Sequence, residues 1–203
     1  MVTAYIGMGA NLPSAAGPPE ATLARAAERL EELGRVTARS RLYSTEPVGY
    51  ADQPRFVNAV VALETELTPR ALLEKLLELE RDFGRDRATG MAGIANGPRT
   101  LDLDLLFFGD LIVDEFDLKV PHPRIEERAF VVVPLADIAP ELCDPRTGAS
   151  VRKWMQRLFT IPAGVESQNV ELIQSTHWRS LRDCDSSAGG AQSADDAGDG
   201  ERG

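Results

Sequence analysis

The sequence predicts an α+β fold, a ferredoxin-like antiparallel sheet with helices packed on its faces. Three observations lead there. The segments follow one another as β-α-β-β-α-β, the order of that sandwich. Two stretches carry an apolar stripe at helical spacing, so each needs a sheet face to cover it. Between them, Phe56–Thr65 has a strongly apolar centre and Leu101–Leu105 alternates with period two.

Val2–Met8 reads as a short buried strand, running into Gly7-Met8-Gly9-Ala10-Asn11-Leu12, where the glycines suit a tight strand exit. Pro18-Pro19-Glu20 opens a helix, because proline fits a first turn. Leu23, Ala26, Ala27, Leu30 and Leu33 share one helical face and Gly34 ends it. Val36–Tyr43 reads as a second strand, and Ser44–Pro54 as a loop rich in Pro and Gly. Phe56–Thr65 is the third strand. Thr68 caps and Pro69 starts a second helix, carrying Leu72, Leu73, Leu76, Leu77, Leu79 and Phe83 before Gly84.

Gly84–Pro98 has no periodicity and holds Gly90, Gly93 and Gly97. A loop of that length inside a compact domain is usually functional or disordered. Thr100–Phe108 is a strand, and Gly109-Asp110 reads as a hairpin turn into Leu111-Ile112-Val113. Phe130–Ile138 and Ser150–Phe159 read as helices.

Residues 1–175 are expected to form one folded domain. From Asp183 onward six acids stand against one base among Ser, Ala and Gly with no aromatic residue. Such a segment cannot bury enough surface to offset its ordering entropy, so 176–203 reads as a disordered acidic tail. The formal net charge of −10 argues against nonspecific nucleic-acid binding. No run reaches the length of a membrane span. The two cysteines, Cys143 and Cys184, make no disulfide framework, and a reducing cytoplasm is the expected setting. A monomer is expected.

The sharpest chemical signal is Leu101-Asp102-Leu103-Asp104-Leu105. Strand side chains alternate faces, so the leucines point one way and the two carboxylates the other. Carboxylates about 7 Å apart on one strand face repel unless a cation lies between them. Mg²⁺ suits them, since it takes a few carboxylates and completes its shell with waters and phosphate oxygens. The alternative is a solvated acidic edge. Arg99 directly precedes the acids, Arg85 and Arg87 begin the long loop, and His122, Arg124 and Arg128 follow Val120-Pro121. In so acidic a chain, arginines gathered near paired acids point to a bound polyphosphate.

Two familiar nucleotide sites are absent. None of the three lysines, Lys75, Lys119 and Lys153, follows a glycine, which excludes a Walker A loop. Gly7-x-Gly9 has Leu12, not Gly, at the third fingerprint position. A second constellation is Thr45-Glu46-Pro47-Val48-Gly49 with Asp52-Gln53-Pro54-Arg55-Phe56-Val57-Asn58. Phe56 and Asn58 share a strand face, and an aromatic beside an amide suits a flat hydrogen-bonding heterocycle. A core Phe and a capping Asn is the plainer alternative.

Taken together, Thr45-x-Pro47, Asp52-Gln53-Pro54-x-Phe56-x-Asn58, Gly97-Pro98-Arg99-Thr100-Leu101-Asp102-Leu103-Asp104, Pro121-His122-Pro123-Arg124 and Arg128-x-Phe130 resemble the 6-hydroxymethyl-7,8-dihydropterin pyrophosphokinase family. The stretch around Ile138-Ala139-Pro140-Glu141 is similar too, and the resemblance runs from about Tyr5 to Trp154. It implies transfer of pyrophosphate from ATP to the pterin hydroxymethyl group, a step of folate biosynthesis, with AMP as the other product. It implies that Asp102 and Asp104 hold two Mg²⁺ ions on the ATP phosphates. Phe56 and Phe130 would sandwich the pterin, and Asn58 with backbone groups of Thr45, Pro47 and Val48 would bind its edge, with Gln53 nearby. Arg85 and Arg99 would brace the transferring phosphates, and Arg87, His122, Arg124 and Arg128 would contact ATP. The family's central block commonly follows Arg-Trp, and its long loop closes over the substrates; here Ala95-Asn96 precedes Gly97. A nucleotidyltransferase would also use paired strand acids with Mg²⁺, but would leave Phe56-x-Asn58 and Phe130 unexplained. A noncatalytic binding module would not need every charged position filled.

Overall fold

The computed structural model describes residues 1–85, 97–160 and 169–178. Its antiparallel sheet contains β1 (Val2–Ala10), β2 (Arg35–Arg39), β3 (Leu42–Thr45), β4 (Phe56–Thr65), β5 (Asp102–Phe108) and β8 (Val170–Ile173). The order across it is β5-β1-β4-β3-β8, with β2 also paired to β4. A separate two-stranded ribbon joins β6 (Val113–Asp114) to β7 (Lys119–Val120).

Helices α1 (Pro19–Leu30) and α2 (Pro69–Asp82) cover one face of the sheet. Both begin with proline after an extended residue, and Thr68 caps α2 by accepting the Ala71 amide at 3.2 Å. Leu23, Leu30, Leu72 and Leu76 from these helices bury against Ala4, Ile6, Val61, Leu63, Leu103 and Leu105. Helices α3 (Ala129–Ile138) and α4 (Val151–Thr160) cover the other face, where Val132, Leu135 and Trp154 pack on Val60, Leu106 and Phe107. A bulge in the β1–β5 ladder lies between Tyr5 and Ile6, opposite Leu105 and Phe107. The extra residue, Leu106, lets both Leu106 and Phe107 serve the α3–α4 core, while Leu105 and Phe108 serve the other.

Two local expectations are corrected. The predicted strand Val36–Tyr43 is two strands, interrupted at Ser40 and Arg41. There the Ser40 hydroxyl accepts the Val60 amide at 2.9 Å while the Ser40 amide donates to the Val60 carbonyl, also at 2.9 Å. A side chain thus takes over one ladder position, which hydrophobic periodicity does not reveal. The predicted hairpin through Gly109-Asp110 does not pair Leu111–Val113 with β5. Gly109, at φ +52°, turns the chain, and Val113–Asp114 pairs instead with β7.

Strand β8 has no counterpart among the elements read from the sequence, and the described residues run to 178. Trp178 is buried, its indole N–H donating to the Ser40 carbonyl at 2.7 Å. Most of the predicted loop Gly84–Pro98, with Arg87 and Asn96, and nearly all of the acidic tail lie outside the described residues.

Candidate active site

The site lies where β1 runs between β4 and β5. Gly9 pairs with Asn58 on one side and Asp102 on the other; Gly7 pairs with Val60 and Asp104. These glycines are not a strand exit. They sit within β1 and form the floor of a cleft lined by Asn58, Asp102, Asp104 and Phe130. A Cβ on Gly9 would lie 3.0 Å from the Asn58 Oδ1 and 3.9 Å from the Asp102 Cβ, so a side chain there would fill the space between amide and acids.

Alternation places Asp102 and Asp104 on the cleft face while Leu101, Leu103 and Leu105 enter the core. Asp102 is fully engaged. Arg85 pairs with its Oδ1, and Arg99 donates to its Oδ2 at 2.7 Å. Asp104 has far weaker compensation, with Arg128 at 3.9 Å. Burial and the neighbouring Asp102 charge push the Asp104 carboxyl up to about 6, against the pull of Arg128. Two hard-oxygen carboxylates, one short of positive charge, form a donor set suited to Mg²⁺. Among the described residues no group of three or more acids, histidines or cysteines could hold a metal unaided, so the remaining ligands would come from waters and phosphates.

Glu80 is a site residue that sequence reasoning missed. It lies on α2, with its side chain only 1% exposed. Its Oε1 accepts the Leu103 amide at 2.8 Å and is also paired with Arg85. The available signal was an acid four residues after Leu76, on the stripe of α2 that faces the core. For Arg85, burial disfavours the charge but the Asp102 and Glu80 carboxylates outweigh it, and its pKa is raised.

Asn11 was also missed. This buried amide donates to Gln53 Oε1 and to the Pro54 carbonyl, both at 3.0 Å, and accepts the Arg99 amide at 2.7 Å. The Arg99 carbonyl in turn accepts the Asn11 amide at 3.0 Å and the Leu12 amide at 3.1 Å. One side chain therefore ties the Gln53 loop to the strand of acids, across 42 positions on one side and 88 on the other. Gln53 Nε2 also donates to the Tyr50 carbonyl at 2.7 Å.

At the other end, Asn58 Nδ2 donates to the Thr45 hydroxyl at 2.8 Å, both residues being buried. Pro47 and Val48 follow in the half-exposed loop. Arg99 lies 5.3 Å from the Phe56 ring centre and Arg128 5.7 Å from that of Phe130. His122 and Arg124 follow a cis Val120–Pro121 bond, and the His122 amide donates to Leu106 at 3.0 Å. Burial and the Arg128 charge lower the His122 pKa to about 4, so the ring is neutral at pH 7. Its Nδ1 accepts the Arg124 amide at 3.3 Å, while the Arg124 side chain turns to Glu127 at 3.1 Å. Burial also lowers the Arg128 pKa, opposed by Asp104. Thus Arg85, Arg99, Arg128, Asp102, Asp104, Asn58 and Phe130 converge, whereas Arg124 points to solvent. Arg87 lies outside the described residues.

Comparisons with known proteins identify the family. Residues 5–140 match the family model described as 7,8-dihydro-6-hydroxymethylpterin-pyrophosphokinase. A 2-amino-4-hydroxy-6-hydroxymethyldihydropteridine pyrophosphokinase of Pseudomonas aeruginosa is 49% identical over 138 residues, 68% of this chain and 81% of that one. The protein of that name in Methylorubrum extorquens is 43% identical over 168 residues, 82% of this chain and 98% of its own. Among solved structures, Plasmodium falciparum HPPK-DHPS aligns over 77% of this chain with a TM-score of 0.60 and 15% identity. That likeness concerns the fold, and the alignment spans 44% of the Plasmodium chain. With the extent of the family match and the identity to relatives aligned over most of their length, the chain belongs to the 7,8-dihydro-6-hydroxymethylpterin-pyrophosphokinase family.

Proposed function

We propose that this chain transfers pyrophosphate from ATP to the hydroxymethyl group of 6-hydroxymethyl-7,8-dihydropterin, within folate biosynthesis. The hydroxymethyl oxygen attacks the β-phosphorus, the bond from that phosphorus to the α–β bridging oxygen breaks, and AMP leaves with the bridging oxygen. The hydroxyl proton passes to water. The observation that carries the reading is the single cleft holding Asp102 and Asp104 beside the Asn58–Thr45 pair, in a chain of this family.

Each residue has a role suited to its chemistry. Asp102 and Asp104 supply oxygen ligands for two Mg²⁺ ions carried with ATP. When bound, the metal neutralises phosphate charge and lowers the barrier to attack. Arg85 and Arg99, now paired with Asp102, are placed to shift toward phosphate oxygens as Asp102 takes up a cation. Phe56 and Phe130 offer ring faces to the pterin. The Asn58 amide, oriented by Thr45, reads the heterocycle edge with backbone groups of Thr45, Pro47 and Val48, and Gln53 stiffens the adjoining loop. Neutral His122, with Arg87, Arg124 and Arg128, serves ATP. The arrangement calls for no nucleic acid, and no helix among the described residues is long and apolar enough to cross a membrane.

The test is incubation with ATP, Mg²⁺ and the reduced pterin, following AMP. Pterin-dependent AMP release with formation of the pterin diphosphate is expected. Release of inorganic pyrophosphate with nucleotidylation of the acceptor would replace this reading with nucleotidyl transfer, and binding without turnover would leave only a binding module.

A further inference from the structure

The family match ends at residue 140, whereas the described residues run on to 160 and again from 169 to Trp178. That late segment lies beside the proposed pterin pocket. Strand β8 pairs antiparallel with β3, setting Leu42 opposite Ile173, Tyr43 opposite Leu172, Ser44 opposite Glu171 and Thr45 opposite Val170. On its other side β3 pairs with β4, Tyr43 opposite Asn58 and Thr45 opposite Phe56. The strand presenting Thr45 is thus held between the strand bearing Phe56 and Asn58 and the late segment.

Two anchors fix that segment. Arg55, the residue before Phe56, donates to the Ser44 hydroxyl at 2.8 Å and reaches Glu46 at 3.2 Å, the Asn169 carbonyl at 3.5 Å and Glu171 at 3.4 Å. At the far end, Trp178 is 6% exposed, bonds the Ser40 carbonyl and lies under the Arg39 guanidinium at 5.9 Å. Ile173 packs on the core between them. Without β8, the four residues of β3 would form a short edge strand running straight into a loop, and short edges open locally at little free-energy cost.

We infer that residues 169–178 are a positioning element for the pterin pocket, holding β3 so that the Thr45 hydroxyl stays fixed against Asn58. The inference rests on the reading of Asn58 and Thr45 as the groups that bind the pterin edge. It differs from simple edge protection, because opening β3 at Thr45 would disorient the pterin-binding amide while leaving Asp102 and Asp104 of β5 in place; Arg41 and Tyr43, bonded to Asp137 of α3, hold the other end of β3.

The test uses Trp178→Ala and Trp178→Phe in the full chain, with Asn58→Ala alongside. Amide exchange at Tyr43–Thr45 is followed together with separate KM values for pterin and ATP. Trp178→Ala should speed that exchange and raise the pterin KM about fivefold, the worth of one misplaced hydrogen bond. The ATP KM should stay within about twofold, and Trp178→Phe should recover most of the pterin KM. Glu171→Arg, an exposed change that sets like charge against Arg55, should give the same split if Trp178→Ala fails to fold. Unaltered exchange, or faster exchange with both KM values unmoved or raised together, would overturn the inference. A normal pterin KM in Asn58→Ala would instead overturn the pocket reading, and the exchange data would still report the hold on β3.

Discussion

Glu80 accepts the backbone N–H of Leu103, the residue between the two aspartates of β5, at 2.8 Å. A buried carboxylate on helix α2 thereby sets the strand position of Asp102 and Asp104, and through Arg85 it also sets the charge beside them. Removing that carboxylate would take the acceptor from the buried Leu103 amide and leave Arg85 with Asp102, a cost of about 1–3 kcal/mol for the buried donor. Glu80→Ala should lose stability on that scale in urea denaturation. Glu80→Gln, which keeps an acceptor for Leu103, should lose much less stability and retain the strand register.

Asp104 should show opposite effects on folding and on activity. Its carboxyl is raised to about 6, so its ionised form is disfavoured in the metal-free fold at pH 7. Asp104→Asn should therefore stabilise the metal-free protein, by about 1 kcal/mol once solvent screening of its side chain, 39% exposed, is allowed for. The same change should abolish pyrophosphoryl transfer with Mg²⁺ present. Thermal melting in a chelator and an AMP-release assay read the two effects; a variant that turns over normally would remove Asp104 from the site.

Gly9→Ala tests the floor of the cleft. The added Cβ would meet Asn58 Oδ1 at 3.0 Å, closer than ordinary contact. Asn58 is held by Thr45 and has little freedom to yield. Pterin affinity should fall about tenfold, the scale of one lost hydrogen bond, with a modestly lower melting temperature from the strained contact. Calorimetric titration with the pterin checks it.

Phe56→Ala and Asn58→Ala should weaken pterin binding far more than ATP binding. Stacking contributes about 0.5–1.5 kcal/mol beyond buried area, and an unmatched heterocycle edge adds its own desolvation cost. Equal losses for both ligands in titration calorimetry would displace these residues from the pterin pocket.

His122 gives a pH signature. Its folded pKa of about 4 lies below the 6.5 of an unfolded histidine. Between those values the unfolded chain binds the proton and the folded chain does not, so the His122 contribution to stability falls as pH drops from 6.5 toward 4. His122→Gln should erase it. Relative to the parent, the variant should gain on the order of 1 kcal/mol between pH 7 and pH 4.5, read from urea midpoints.

The sequence by itself determined the elements whose signals are local. Helices α1 and α2 were legible from proline starts and apolar stripes, and β4 was bounded correctly at Phe56 and Thr65. Period-two alternation alone puts Asp102 and Asp104 on one face. Only the tertiary structure decided what depends on chain segments far apart. The Ser40–Val60 bonds that split the second strand, and the β6–β7 pairing that replaced the expected hairpin, are choices among partners. The placing of β8 and Trp178 on β3 joins segments more than 120 positions apart, with no periodic pattern to announce it. Glu80 and Asn11 work through backbone amides of distant strands, and a backbone amide looks the same in every sequence. Gly9 reads as a turn residue until the neighbours of its missing side chain are known. Local spacing fixes which way a side chain points; folding alone fixes what lies there to meet it.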